Sequence, residues 1–164
     1  FEYGTFCPVM RLHGYRMPYQ PQYGTTGGAE CVSGAPNEIW SYGDEVYEIC
    51  KKYIELREAM RPYIRTLMEA AHEKGTPVMR PMFYECPEDK VCWENESQYM
   101  FGPDILVAPV MERGQKTKEV YLPKGSTWTD PWTGKNYEGG QTVTVETPLE
   151  QIPLFTRDHF KLEV

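Results

Sequence analysis

Apolar residues recur at three- and four-residue spacing over residues 44–74, whereas from about residue 104 onward they arrive in short runs broken by turn residues. The first pattern is the stripe of an amphipathic helix and the second that of half-buried strands, so the chain must combine a helical layer with a separate β layer. The stripe passes through Val46, Ile49, Cys50, Tyr53, Leu56 and Met60 and continues through Ile64, Leu67, Met68 and Ala71. Asp44 stands where an N-cap belongs, Glu48 and Arg65 are spaced to pair with Lys52 and Glu69, and Gly75 follows as a C-terminal stop. Pro62 interrupts the stripe, which predicts a kink or two consecutive helices near Arg61. Glu45, Glu48, Glu55, Glu58, Glu69 and Glu73 read as the solvated face.

Ahead of the helix, the apolar run at 9–12, interrupted by Arg11, predicts a short strand ending at His13 and Gly14. Residues 15–37 contain YGTTGGAE and SGAPN without periodicity and read as a long loop. The glycines at 24–30 lack the Lys and Ser or Thr of a phosphate-cradling loop, so they read as backbone freedom. Behind the helix, GTPVMRPMFYE is an apolar run whose Pro81 belongs at a strand end. Residues 85–98 are acidic and loop-like, and 105–110 form a strand too apolar to have a solvent face. Strand signals continue in EVYLP, around Trp128 and Trp132, in TVTVE at 142–146 and in IPLFTR at 152–157, with a turn at 133–135. Their spacing suggests a sandwich or small barrel. The predicted fold class is α/β plus β.

Composition removes several function classes. A net charge of −7 without basic clusters is a poor match for nucleic acid or an anionic membrane, and no apolar run approaches the ~18 residues of a membrane span. The three histidines, His13, His72 and His159, are too dispersed for a metal site, and no cofactor is expected. Cys7, Cys31, Cys50, Cys86 and Cys92 are odd in number and form no C-x-x-C unit, so they read as free thiols of a reducing, cytoplasmic setting. The chain opens on Phe1 with no targeting pattern, which reads as a start inside a domain.

Five phrases carry a resemblance: FEYGTFCPVMRLHG, KKYIELREAMRPYIRTLMEAAHEKGTPVMRPMF, QYMFGPDILVAPV, EVYLPKGSTWTDPWTGKNYEGG and PLEQIPLFTR. In kind and order they resemble the C-terminal half of glycoside hydrolase family 31, and together they cover most of the chain. The resemblance implies that residues 1–103 are the C-terminal part of a (β/α)8 catalytic barrel, with strand 7 at 8–13 and strand 8 at 77–83. Residues 104–164 are then the antiparallel β-sandwich that follows it. The implied activity is that of a retaining exo-α-glycosidase acting on terminal α-linked xylose or glucose of an oligosaccharide or glycoside.

The family's two catalytic aspartates lie on earlier strands and no segment here matches their motifs, so no catalytic residue is assigned. In Arg11-Leu12-His13, His13 matches the family's R-x-H histidine, which hydrogen-bonds hydroxyls of the sugar beside the scissile bond. An imidazole offers that hydroxyl both a donor and an acceptor, and the C-terminal end of a barrel strand is where such sites are built. Arg11 shares the face of His13 if the strand alternates, as a second substrate-binding candidate or as the partner of a carboxylate elsewhere in the barrel. Arg80 is expected to pair structurally, and Tyr15, Tyr19, Tyr23 and Trp40 are candidates for lining the rim. The alternative is a carbohydrate-binding or structural β module whose Trp128 and Trp132 form an aromatic platform. Two barrel strands alone would leave edges uncovered, which predicts self-association through them or disorder across residues 1–40.

Overall fold

Pro62 divides the helical stripe in two. The computed structural model describes residues 1–12, 37–158 and 160–164, together with the backbone of 19–21 and 32–34. In chain order its elements are α1 (Glu2–Thr5), β1 (Tyr19–Pro21), β2 (Val32–Gly34), a 3-10 helix (Ile39–Tyr42), α2 (Asp44–Ala59), α3 (Arg61–Lys74), β3 (Met79–Pro81), α4 (Met82–Glu85) and α5 (Val91–Glu94). The strands β4 (Tyr99–Phe101), β5 (Ile105–Val107), β6 (Thr117–Leu122), β7 (Thr127–Thr129), β8 (Asn136–Glu138), β9 (Gln141–Glu146) and β10 (Leu154–Arg157) complete the chain.

Met60 closes α2 and opens α3, with Pro62 in the first turn of α3, where its missing N–H breaks no intrahelical bond. Gly75 ends α3 in the left-handed region at φ 69°, and its N–H returns to the Ala71 carbonyl at 3.1 Å. The N-cap of α2 is Gly43 rather than Asp44, whose carboxylate instead occupies the positive first turn. Cys50, Tyr53, Leu56, Met60 and Leu67 of the predicted stripe are buried, but Met68 is 47% exposed. The six glutamates assigned to the solvated face are all exposed.

One antiparallel sheet of six strands, in the order β3-β4-β5-β10-β7-β8, organises the molecule. Its side chains obey the period of two. Phe101, Ile105, Val107 and Leu154 pack with Phe6, Tyr53, Leu56, Met60 and Leu67 on the helical face. Met100, Leu106, Phe155 and Trp128 pack on the opposite face with Val120 and Leu122 of the β6-β9 ribbon. The layers are therefore helices, sheet and two-stranded ribbon. Strand β5, expected over 105–110, spans only Ile105–Val107 and is buried at each of those positions.

Four local expectations are corrected. Residues 8–12 form no strand: 6–9 turn and 10–12 are irregular, and a lone extended segment without a partner has no ladder to satisfy its backbone groups. The segment 15–37 is not wholly irregular, because β1 and β2 pair antiparallel with Tyr19 opposite Gly34. The strand placed at 77–83 is only Met79–Pro81, and it pairs antiparallel with β4 at the edge of the six-stranded sheet, where Pro81 needs no donor. The acidic stretch 85–98 contains the single turn α5, which seats Cys92 in the core.

Candidate functional site

The segment that leads into His13 is anchored from three directions. Arg57, on the flank of α2, donates to the carbonyls of Thr5 at 2.7 Å, Pro8 at 3.1 Å and Gly4 at 3.4 Å. The Tyr99 hydroxyl donates to the Phe6 carbonyl at 2.9 Å, and Phe6 itself is fully buried against Phe101. The Glu2 carboxylate accepts from the Val110 amide at 2.9 Å; burial pushes its pKa up, with that hydrogen bond and Lys118 acting in the opposite direction. Residues 1–12 are thus tied to both the helical layer and the β layer.

Past these anchors the chain reaches the surface. Arg11 is exposed and forms no ion pair among the described residues. Leu12 is 44% exposed and lines an open cleft of about 310 Å3 together with Asn37, Glu38, Ile39, Trp40 and Ile54. Trp40 presents 69% of its surface there. Of the four aromatics expected at the rim, Trp40 is therefore beside the Arg11-Leu12-His13 motif. The side chains of His13, Tyr15, Tyr19 and Tyr23 lie outside the described residues. Glu38 is the single carboxylate among the described residues lining this cleft. A retaining glycosidase needs two, with carboxyls ~5–5.5 Å apart, so these lining residues do not make a catalytic pair.

The other candidate residues have structural partners. Arg80 is buried, ion-pairs with Glu85 and donates through Nε to the Pro77 carbonyl at 2.6 Å. Asp130 accepts from the Trp132 amide at 2.9 Å and the Thr133 hydroxyl at 2.8 Å, which fixes the turn at 130–133. Asp104 accepts from the Tyr63 hydroxyl at 2.9 Å. Trp128 is fully buried and donates to the Pro123 carbonyl at 3.0 Å, so it offers no face to a ligand. Trp132 donates to the Ile152 carbonyl at 2.7 Å, packs edge-on with Tyr53 and has Lys52 Nζ 4.0 Å from its ring centroid. The aromatic platform required by a binding module is absent from this pair.

Sequence reasoning missed Arg57 and Tyr53, which position the site without belonging to it. The Tyr53 hydroxyl accepts from the Ile152 amide at 2.8 Å and donates to the Glu150 carbonyl at 2.9 Å, joining α2 to the segment ahead of β10. Arg57 carried a legible signal: positions 53, 54, 60 and 61 hold Tyr, Ile, Met and Arg, so no carboxylate stands three or four residues away, where a helical ion pair forms. An arginine on a buried flank without a local partner must find one in the tertiary structure. No helix among the described residues is long and apolar enough to cross a membrane, and no group of three metal-ligating side chains occurs among them.

Comparison with known proteins completes the picture. Residues 1–67 match the family model of the glycosyl hydrolases family 31 TIM-barrel domain, and residues 75–159 that of the glycosyl hydrolase family 31 C-terminal domain. The chain is 37% identical over 157 residues to an alpha-xylosidase of Saccharolobus solfataricus, covering 96% of this chain and 19% of that protein. It is 40% identical over 157 residues to alpha-glucosidase 2 of Bacillus thermoamyloliquefaciens, covering 95% of this chain and 18% of that protein. A crystal structure of a GH31 alpha-xylosidase from a soil metagenome, complexed with xylose, superposes with a TM-score of 0.90 at 50% identity, covering 99% of this chain and 24% of that one. The chain spans about a fifth of the length of these curated relatives.

Proposed function

The chain belongs to glycosyl hydrolase family 31, and from that premise we propose that it supplies the sugar-contacting end of the barrel and the β domain behind it in a retaining exo-α-glycosidase. The observation that carries this reading is the succession of matches: the barrel-domain match covers residues 1–67 and the C-terminal-domain match residues 75–159, in one continuous chain. Members of this family are glycoside hydrolases. The relatives named above include alpha-xylosidases and an alpha-glucosidase, which supports a terminal α-linked xylose or glucose as the substrate.

On this reading His13 hydrogen-bonds hydroxyls of the bound sugar, and the exposed Arg11 is a second substrate-binding candidate. Trp40, exposed beside Leu12, is placed to cover an apolar sugar face. The catalytic aspartates lie outside these 164 residues. The two family matches leave residues 68–74, in the last turns of α3, between them, and β3 and β4 share a sheet with β5.

The test is a turnover assay of the 164-residue chain on aryl α-xylosides and aryl α-glucosides. No hydrolysis above the uncatalysed rate is expected. Robust hydrolysis would overturn the assignment of the aspartates to another part of the protein.

A further inference from the structure

The six-stranded sheet ends at β8, and β9 pairs only with β6 among the described residues. Tyr137 of β8 and Val145 of β9 pack on the same core, and both line a cleft of about 280 Å3 that shares no residue with the one beside Leu12. Its apolar lining includes Ile152, Leu154 and Phe155, all buried. Two half-buried aromatic rings line it as well, and both are held in place. Trp132 is fixed by the hydrogen bond from its Nε1 to the Ile152 carbonyl at 2.7 Å, and Tyr137 by edge-on packing with Phe155 at a centroid distance of 5.8 Å. Side chains already immobilised lose little freedom when a ligand arrives.

Polar groups reach the same cleft from three segments. In the turn between β7 and β8, the Asp130 amide donates to the Lys135 carbonyl at 2.9 Å and the Gly134 amide to the Asp130 carbonyl at 2.8 Å. Asp130 is 9% exposed, and its carboxylate accepts from the Trp132 amide and the Thr133 hydroxyl. A carboxylate has about four acceptor positions, so capacity remains for a ligand's hydroxyls. Lys135 Nζ stands 4.7 Å from the Tyr137 ring centroid. Glu146 of β9 and Gln151 ahead of β10 complete the set, and their side chains form no hydrogen bond among the described residues.

These groups select a ligand class. An anion meets two carboxylates against one ammonium. A wholly apolar molecule strips water from the carboxylates and the amide without replacing its hydrogen bonds. A sugar ring meets both demands: its hydroxyls donate to Asp130 and Glu146, accept from Lys135 and do either with Gln151, while its C–H bonds rest on the aromatic and apolar lining. The volume stands at the low end for ligand pockets, which suits one ring rather than a chain. We propose that this cleft is a sugar-binding site of the β domain that takes one neutral pyranose unit, separate from the surface beside Arg11-Leu12-His13. The choice of xylose or glucose as that unit rests on the proposed function; the site itself rests on the cleft.

The isotopically labelled 164-residue chain is titrated with D-xylose and with D-glucose and followed by its amide chemical shifts. Saturable shifts clustered at residues 130–137, 144–146 and 151–155 are expected for at least one sugar, with a Kd of roughly 1–10 mM. Glu146→Ala combined with Gln151→Ala removes two side chains that hold nothing else among the described residues. That double variant is expected to keep the wild-type spectrum away from the cleft and to weaken Kd by about tenfold or more. An unchanged Kd in the double variant would overturn the proposal, as would the absence of saturable shifts at these residues with both sugars. Shifts confined to the surface around Leu12 and Trp40 and abolished by Trp40→Ala would overturn it too, while supporting the proposed function, which the turnover assay judges separately.

Discussion

Arg57 does at one position what no local interaction in the first twelve residues does. Its guanidinium collects three carbonyls of a segment that has little regular structure, and a hydrogen bond to a charged donor contributes roughly 1.5–3 kcal/mol. Arg57→Met keeps the apolar stem against α1 but leaves those carbonyls to water. It is expected to cost about 2 kcal/mol or more and to speed amide exchange of residues 1–12 while leaving β5 and β10 protected. Equal acceleration in β5 would mean that Arg57 supports the whole fold rather than this segment. Trp128 shows the limit of reading single residues. Its place in a β run was legible, but whether its ring met solvent depended on β10 and the ribbon, which lie beyond any local pattern.

At the scale of elements, the sequence period was informative wherever one face was buried. The stripe of α2 and the alternation of β9 could be read directly, because a helix or strand between core and solvent writes its period into its residues. Partners were not legible. The segment at 77–83 reads as a strand whichever neighbour it takes, and only the fold assigns β3 to the edge beside β4. The β4-β5 turn offers a direct probe. Gly102 has φ 62°, and a Cβ there would meet the Tyr63 hydroxyl and lie 2.9 Å from Leu67 of α3. Gly102→Ala combines a left-handed backbone with overpacking and is expected to destabilise by roughly 2–5 kcal/mol, read from the denaturant midpoint. A loss under 0.5 kcal/mol would show that α3 is not held against this turn.

The molecule as a whole joins a helical layer that ends one domain to a β domain that begins another, with Phe6, Tyr53 and Ile152 in one shared core. The site is less legible than the fold. The motif Arg11-Leu12-His13 offers two candidates, but a site assembled from several strands of a barrel cannot be completed from one of them. Self-association was expected through open strand edges, and residues 8–12 form no strand that would supply one. Leu12, Trp40 and Ile54 line one cleft and are 44%, 69% and 40% exposed, an apolar surface that a second copy would cover. Sedimentation is expected to show a concentration-dependent dimer that Trp40→Glu shifts toward monomer; a wild-type chain that stays monomeric would remove self-association from the account.

The central claim is that this chain is the sugar-contacting end of a family 31 barrel, and grafting tests it most directly. These 164 residues would replace the corresponding quarter of the soil-metagenome alpha-xylosidase, to which they are 50% identical at a TM-score of 0.90. The kcat/KM of the folded chimera on an aryl α-xyloside would then be measured with His13 intact and with His13→Ala. The account predicts an active chimera and a fall of roughly tenfold to a thousandfold on losing the imidazole, as expected when a hydrogen bond worth about 1.5–4 kcal/mol to the reacting sugar is removed. A folded chimera without activity, or one indifferent to His13→Ala, would contradict it.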